Sequence, residues 1–447
     1  MEKTDVLVIG GSASGIVTAV TGKSNYPDKD FIVIRKEKQV VVPCGIPYIF
    51  GSLDNSNKNL IPDAVLEKAN IKIKIDEVIN IDTEKKLCKT KQGSELSYDK
   101  LVFATGSTTK VPGWLKGSDK KNVFTVPKDK DYLDNIIEEL KGCKKILTIG
   151  GGFIGVEISD ELNKAGKDVT IVEILPHVLS LAFDKEIAKK AEETLKKRGV
   201  KIVSGVGVKE ILGDEKTSGV LLQNGKKLDA DAVILSMGYK PNTNLAKKAG
   251  LNLNEKGFIK VDEYMRTDNS DIFAVGDCSE KRDFVTRKPS SVMLASTACA
   301  EARIAGMSLY KLSAVKTFSG TIAIFSTMIG NTAFGVAGLT EDVARCEGFD
   351  IVVGDFEGID KHPGSLPETN MQKVKLIAAK DSGIILGGEV VGGPSAGELT
   401  NIIGLAIQNK MTINCLLTSQ IGTHPLVTAP PTAYPIIKAA EVVSKKI

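Results

Sequence analysis

Twice in this sequence an apolar strand runs into a glycine turn and straight on into a helix. Residues 4–10, TDVLVIG, open the turn GGSASG and the helical stretch IVTAVTGKS; residues 145–150, KILTIG, open GGFIG and VEISDELNKAG. A continuous apolar run bounded by glycine reads as a buried parallel strand, since a strand covered on both faces needs no polar alternation. Each copy continues into a second strand, FIVIRKE at 31–37 and KDVTIVE at 167–173. Two βαβ units beginning about 140 residues apart predict two parallel sheets, each with a phosphate-binding turn at a helix N-terminus.

The rest of the chain is organised around these units. At 447 residues it exceeds what one core supports, so two or three domains are expected. LVFATGS at 101–107 and AVILSMGYKPN at 232–242 both end a strand in a small-residue turn and read as crossing points between domains. The segment ending in IFAVGDC returns the chain to the first unit, and a helix follows at 293–310. Beyond about 317 the pattern becomes α+β, with KVKLIAAK and IILGGEVVGG flanking the helical ELTNIIGLAIQNKM and no glycine-rich turn. The expected division is 1–114 with 243–316, 115–242, and 317–447. The fold class is α/β: two Rossmann-like domains plus a C-terminal α+β domain.

Composition narrows the function. The net charge of +4 is small, and the lysines are mixed with acids rather than gathered in a stripe, so no nucleic-acid partner is expected. The seven cysteines are widely spaced, without a C-x-x-C pair, which fits reduced thiols and no metal site. MEKTDVLVIGG has the character of a strand, not of a signal peptide, and no apolar run reaches the ~20 residues of a membrane span. A cytoplasmic protein without membrane attachment is the expectation.

Gly150, Gly152 and Gly155 fit G-x-G-x-x-G between a strand and a helix, the pattern in which small residues let backbone N–H groups approach a pyrophosphate. Glu173 closes the next strand, where a carboxylate accepts from a ribose 2′-OH and repels a 2′-phosphate; Ile174 to Pro176 supply no cation, so NADH is favoured over NADPH. The first turn has Gly10 and Gly15 but Ser12 in the middle, and its partner strand ends in Arg35 instead of an acid. Arg35 is either an adenosine contact or a solvated strand end.

Taken in order, GGSASG, ATG at 104–106, GGGFIG with Glu173, GYKPN and TDNSDIFAVGDC resemble the FAD-dependent pyridine nucleotide-disulfide oxidoreductases across essentially the whole chain. The resemblance implies FAD at Gly10, Ser12, Gly15 and Arg35, at Thr105 and Gly106, at Asp277 beside the ribityl chain, and at Ala295. It implies NADH at Gly150, Gly152, Ile154, Gly155, Glu173 and Gly238, and a homodimer through the C-terminal domain.

VVPCGIPYIFG carries Cys44 alone: Ile49 stands where a C-x-x-x-x-C pair would place its second thiol. The stretch resembles the family's single-cysteine branch of coenzyme A-disulfide reductases, persulfide or polysulfide reductases, NADH oxidases and NADH peroxidases. A helix starting after Gly45 to Pro47 is expected to depress the thiol pKa. The branch's peroxidases and water-forming oxidases resemble one another in a histidine within the first turn, where this chain has Ala13. Sulfur leaving groups depart without strong acid help, which favours a low-molecular-weight disulfide, persulfide or polysulfide, coenzyme A-based or otherwise. The alternatives are an NADH oxidase making hydrogen peroxide and a flavin-linked electron carrier or redox sensor. His424 in GTHPLVTAPPTAYP resembles the family's cross-dimer acid/base, with Ala429 replacing the expected glutamate, and Tyr434 is a second candidate for the proton role. Lys23 is either a coenzyme A phosphate contact or a solvated helix lysine.

Overall fold

The computed structural model describes residues 1–447. Glu2–Ile9 pairs in parallel with Phe31–Arg35 on one side and Glu95–Phe103 on the other, and Ile272–Ala274 returns late in the chain to the far side of Glu95–Phe103. This makes a seven-stranded sheet assembled from two separate stretches of sequence. The second βαβ unit forms an all-parallel five-stranded sheet in the order Val123–Thr125, Ala232–Leu235, Lys145–Ile149, Asp168–Glu173, Lys201–Ser204. Ala232–Leu235 is buried at every residue, the burial its unbroken apolar run requires.

The two connections between these sheets run side by side. Ser107–Thr109 pairs antiparallel with Tyr239–Pro241, Thr105 donates its hydroxyl to Asn242 O at 2.6 Å, and Asn242 Nδ2 donates back to Thr105 O at 3.2 Å. The C-terminal region is a five-stranded antiparallel sheet covered by Ala396–Gln408 and Pro435–Ser444. There Met371–Ala379 and Ile385–Gly392 are direct neighbours in the sheet, so the helix at 396–408 follows both strands and does not lie between them.

A single apolar core joins the three regions. Ile46, Ile49 and Phe50 of the 3₁₀ segment Pro43–Phe50 pack with Val156, Ile158 and Leu162 of the helix Phe153–Lys164 and with Phe334, Val336 and Val391 of the antiparallel sheet. Ile49 is 1% exposed. The position that would hold a second thiol is thus an anchor of the core, and its truncation to alanine carries a cost of about 2–5 kcal/mol.

Beside this core the second sheet's region is clamped to the C-terminal sheet by charge. Lys375 lies 2.8 Å from Asp184 and 2.9 Å from Glu341, and the Asp184 N–H donates to Glu389 Oε1 at 2.7 Å. Four carboxylates, those of Asp184, Glu186, Glu341 and Glu389, lie within 4 Å of one lysine and leave an excess of negative charge around it. Burial, reinforced by the Asp184 carboxylate, pushes the Glu389 carboxyl up to about 8, while Asp184, despite its burial, is held below the usual carboxylate range by Lys375. The folded state therefore keeps a proton on Glu389 that the unfolded chain releases near pH 4.5, and stability falls as pH rises from there towards 8. Glu389→Gln keeps the shape without the titration. It should unfold nearly like wild type at pH 5 and be about 4 kcal/mol more stable at pH 8.5, read by denaturant titration at both values, each of the roughly three pH units between 5 and 8 being worth about 1.4 kcal/mol.

Candidate functional site

Both glycine turns open into one cavity of about 1680 Å³. The turns are built alike. A Cβ on Gly15 would lie 1.9 Å from Gly10 O, and one on Gly155 would lie 2.0 Å from Gly150 O. Gly10 and Gly150 have φ of +115° and +106°, and their Cβ positions would strike Ala104 O at 2.2 Å and Ser236 O at 2.3 Å. Backbone thus rests directly on backbone at both strand-to-helix junctions. Gly152 has open space where a side chain would be added, which explains why Ser12 is accepted at the corresponding place in the first turn. Ser12 and Gly152 are the N-caps of Ala13–Asn25 and Phe153–Lys164, so both helix N-termini face the cavity.

Of the residues expected to hold dinucleotides, Gly10, Ser12, Arg35, Thr105, Gly106, Asp277 and Ala295 line this cavity on one side; Gly150, Gly152, Ile154, Glu173 and Gly238 line it on the other. Gly15 and Gly155 stand just behind, as the close approaches require. Glu173 is buried, with its carboxylate accepting from the N–H groups of Gly151 at 2.5 Å and Leu175 at 2.8 Å. Asp277 accepts from Ser107 Oγ and Lys128 Nζ, each at 2.7 Å, on Oδ2. Arg35 is no solvated strand end. It is 3% exposed and forms two 2.7 Å bonds to the Asp63 carboxylate, with Nε and Nη2 also donating to the carbonyls of Glu37 and Lys38. Its charge is neutralised by a residue 28 positions on, which the strand pattern does not reveal. Lys23 likewise donates to the carbonyls of Pro27 and Lys29, tying off its own helix.

Cys44 lines the cavity in the first turn of Pro43–Phe50, so the helix starts before the cysteine and not after it. The expected depression of its thiol pKa is reversed: burial pushes it up, followed by the Glu157 carboxylate, with Lys128 opposing. Glu157 lies on Phe153–Lys164, accepts from Thr327 Oγ1 at 2.8 Å, and is itself pushed up to about 7 by burial. Burial, followed by the Glu157 charge, pushes the Tyr48 hydroxyl up to about 12. No histidine lines the cavity. His424 is exposed in the C-terminal region, where His362 joins it: His362 N–H donates to Pro425 O at 3.1 Å, and His362 Nδ1 is 3.1 Å from Thr428 O. Leu426 and Val427 beside them are 57% and 64% exposed. Tyr434 is 7% exposed, packed in the core of the antiparallel sheet and its helices, and burial pushes its hydroxyl up.

Residues 4–302 match the Pyridine nucleotide-disulphide oxidoreductase family, and residues 324–434 match its dimerisation domain. The chain belongs to this family. Among relatives, an NADH oxidase of Methanocaldococcus jannaschii is 32% identical, with 99% of both chains covered. An NAD(P)H coenzyme A polysulfide/persulfide reductase of Pyrococcus horikoshii is 31% identical over 98% of both. Among solved structures, the NAD-dependent persulfide reductase of A. fulgidus superposes with a TM-score of 0.91 at 30% identity, covering 99% of this chain and 83% of that one. Family membership implies flavin and pyridine nucleotide, and the cavity fits both: two helix N-termini without acidic first turns, two glycine junctions that exclude side chains, and an Asp277 whose Oδ1 has no protein donor. No helix is long and apolar enough to cross a membrane.

Sequence reading missed Lys128 and Glu157. Lys128 carries no local signal beyond preceding a helix. Glu157 does: it sits with Asp160 and Glu161 on a helix whose buried positions are otherwise apolar or small, an acid run on a face that should be dry. Glu157→Gln removes the largest negative charge acting on Cys44. It should lower the pH midpoint for alkylation of Cys44 by iodoacetamide by about one unit, followed by peptide-resolved mass spectrometry; an unmoved midpoint would mean that the two groups do not interact.

Proposed function

We propose that this family member is an NADH-dependent FAD flavoprotein in which Cys44 reduces a low-molecular-weight disulfide, persulfide or polysulfide, with coenzyme A-based species as the leading substrate class. The observation that carries the reading is a lone thiol on the wall of a two-dinucleotide cavity, with Ile49 committed to the core and no imidazole on the cavity wall. Without a second thiol at position 49, Cys44 forms no internal disulfide there; in this reading its oxidised form is a bond to a substrate sulfur, a sulfenic acid being the form that a peroxide would leave. The Cys44 thiolate attacks one sulfur, the other leaves as a thiolate or persulfide, and a mixed disulfide remains on Sγ. FAD, when bound, relays the two electrons of NADH that release the second product and restore the thiolate. Overall, one disulfide, one NADH and one proton give two thiols and NAD⁺.

The chain's residues have distinct tasks in this reading. The turns at Gly10 and Gly150 bind the two pyrophosphates, Asp277 holds the ribityl chain, and Glu173 accepts from the ribose of NADH. In this reading the domains are 1–114 with 243–316 for FAD, 115–242 for NADH and 317–447 for dimerisation. In a homodimer His424 of a second copy approaches Cys44 as proton donor; Tyr434, enclosed by the core of its own sheet, is the weaker candidate. The relative in M. jannaschii supports a second reading, an NADH oxidase that reduces oxygen to hydrogen peroxide without using the thiol.

Cys44→Ser decides between them. It should lose at least about 1000-fold in NADH-dependent reduction of coenzyme A disulfide or persulfide, as expected when a covalent nucleophile is removed, while keeping its oxygen-dependent NADH consumption. Full sulfur reductase activity in the serine variant would refute the thiol mechanism. Glu173→Ala should raise the KM for NADH about tenfold, the loss of a charge-assisted hydrogen bond worth ~1.5 kcal/mol, and equal use of NADPH by the unmodified enzyme would remove the assigned role of Glu173.

A further inference from the structure

Four cations line the cavity. Arg35 is bound to Asp63, Lys36 adjoins it at the end of the same strand, and Lys248 closes the short helix Asn244–Lys248. The fourth, Lys128, is the one whose charge favours the Cys44 thiolate. Its backbone lies between Val123–Thr125 and Lys130–Lys141, in the region of the second sheet, but its side chain crosses out of that region. Nζ donates to Asp277 Oδ2 at 2.7 Å and to Ser107 Oγ at 3.0 Å, and stands 5.6 Å from the centroid of the Tyr239 ring. Tyr239 in turn donates its hydroxyl to Val126 O at 2.6 Å, fixing the ring against the segment that carries the lysine. Both crossing strands and the Gly276–Cys278 turn therefore meet at one ammonium group.

The groups facing Cys44 make that ammonium consequential. Glu157 comes from the helix Phe153–Lys164, Asp277 from its turn, and Cys299 from the helix Ala295–Ser308, all opposing a thiolate; Tyr48 shares the cysteine's own helix. Lys128 is the leading influence on the positive side. Because Ser107 and Lys128 both take Oδ2 of Asp277, its Oδ1 is left without a protein donor.

We propose that Lys128 is a positioning residue with two effects: it fixes the Asp277 carboxylate so that one oxygen stays available to a ligand in the cavity, and it supplies the positive field that allows Cys44 to act as a nucleophile among carboxylates. The second effect rests on the reading of Cys44 as the redox thiol. Because Lys128 moves with the second sheet while Asp277 and Cys44 belong to the first, the same contact makes the thiol's reactivity sensitive to how the two sheets are docked.

The test compares FAD-loaded wild type with Lys128→Met, Lys128→Gln and Lys128→Arg. Cys44 alkylation by iodoacetamide is followed against pH with peptide-resolved mass spectrometry, which separates it from Cys346 and Cys415, solvent-accessible as Cys44 is. FAD affinity is measured by fluorescence titration. Lys128→Met should raise the alkylation midpoint by about one pH unit and slow the reaction about tenfold at neutral pH, and should weaken FAD binding severalfold. Lys128→Gln, which keeps a donor but no charge, should show the shifted midpoint with tighter FAD retention than Met, and Lys128→Arg should resemble wild type in both readouts. An unchanged midpoint in both Met and Gln overturns the proposal, and so does an equal shift in Arg. Alkylation uses neither NADH nor an electron acceptor, so its outcome is separate from that of the Cys44→Ser turnover experiment.

Discussion

Everything in this molecule follows from two places where backbone lies on backbone. At Gly15 and Gly155 the helix presses against the carbonyl of the preceding turn, and at Gly10 and Gly150 the turn presses against the end of a crossing strand. No side chain fits between these segments. The close approach aims two helix N-termini at the same space and brings both crossing strands to its floor, where Thr105 and Asn242 lock them together. A cavity with a helix N-terminus at each of two ends is the geometric result, and Cys44 lines its wall.

The thiol's own location is set by packing. Pro43–Phe50 turns Ile46, Ile49 and Phe50 into a core shared with a helix of the second sheet and three strand residues of the third, which leaves Cys44 on the cavity side. One short segment thus registers the position of all three regions. Its apolar face accounts for the missing second cysteine in physical terms, since Ile49 already fills space that a thiol would leave partly empty.

Legibility in the sequence followed the range of the interactions. The turns, the crossing strands and Asp277 were readable because each is a local pattern of a buried strand followed by small or acidic residues, and the repetition of the pattern gave both sheets. Of the two readings of Arg35, the solvated strand end fails because its partner, Asp63, lies beyond the strand and meets it only after folding. Lys128 and Glu157 escaped for the same reason: their meaning depends on residues of other sheets, Asp277 and Ser107 for one, Thr327 and Cys44 for the other. The pKa of Cys44 was expected to fall on the strength of a helix terminus alone. In the folded protein burial, followed by Glu157, outweighs that effect, because a 3₁₀ segment of eight residues aligns few peptide dipoles.

That balance gives the site a particular character. A thiol flanked by carboxylates is protected from idle oxidation, since little of it is ionised, and becomes reactive only where a positive group offsets the field. Here the offset comes from a lysine rooted in the second sheet, while the opposing Glu157 is rooted there too and bonded across to Thr327 of the third. The leading charge of each sign acting on Cys44 is therefore rooted outside its own sheet, with Asp277 of the first sheet adding to the negative side. In the proposed reading, the reactivity of the thiol and the docking of the sheet assigned to the pyridine nucleotide are in this way linked through one set of charges.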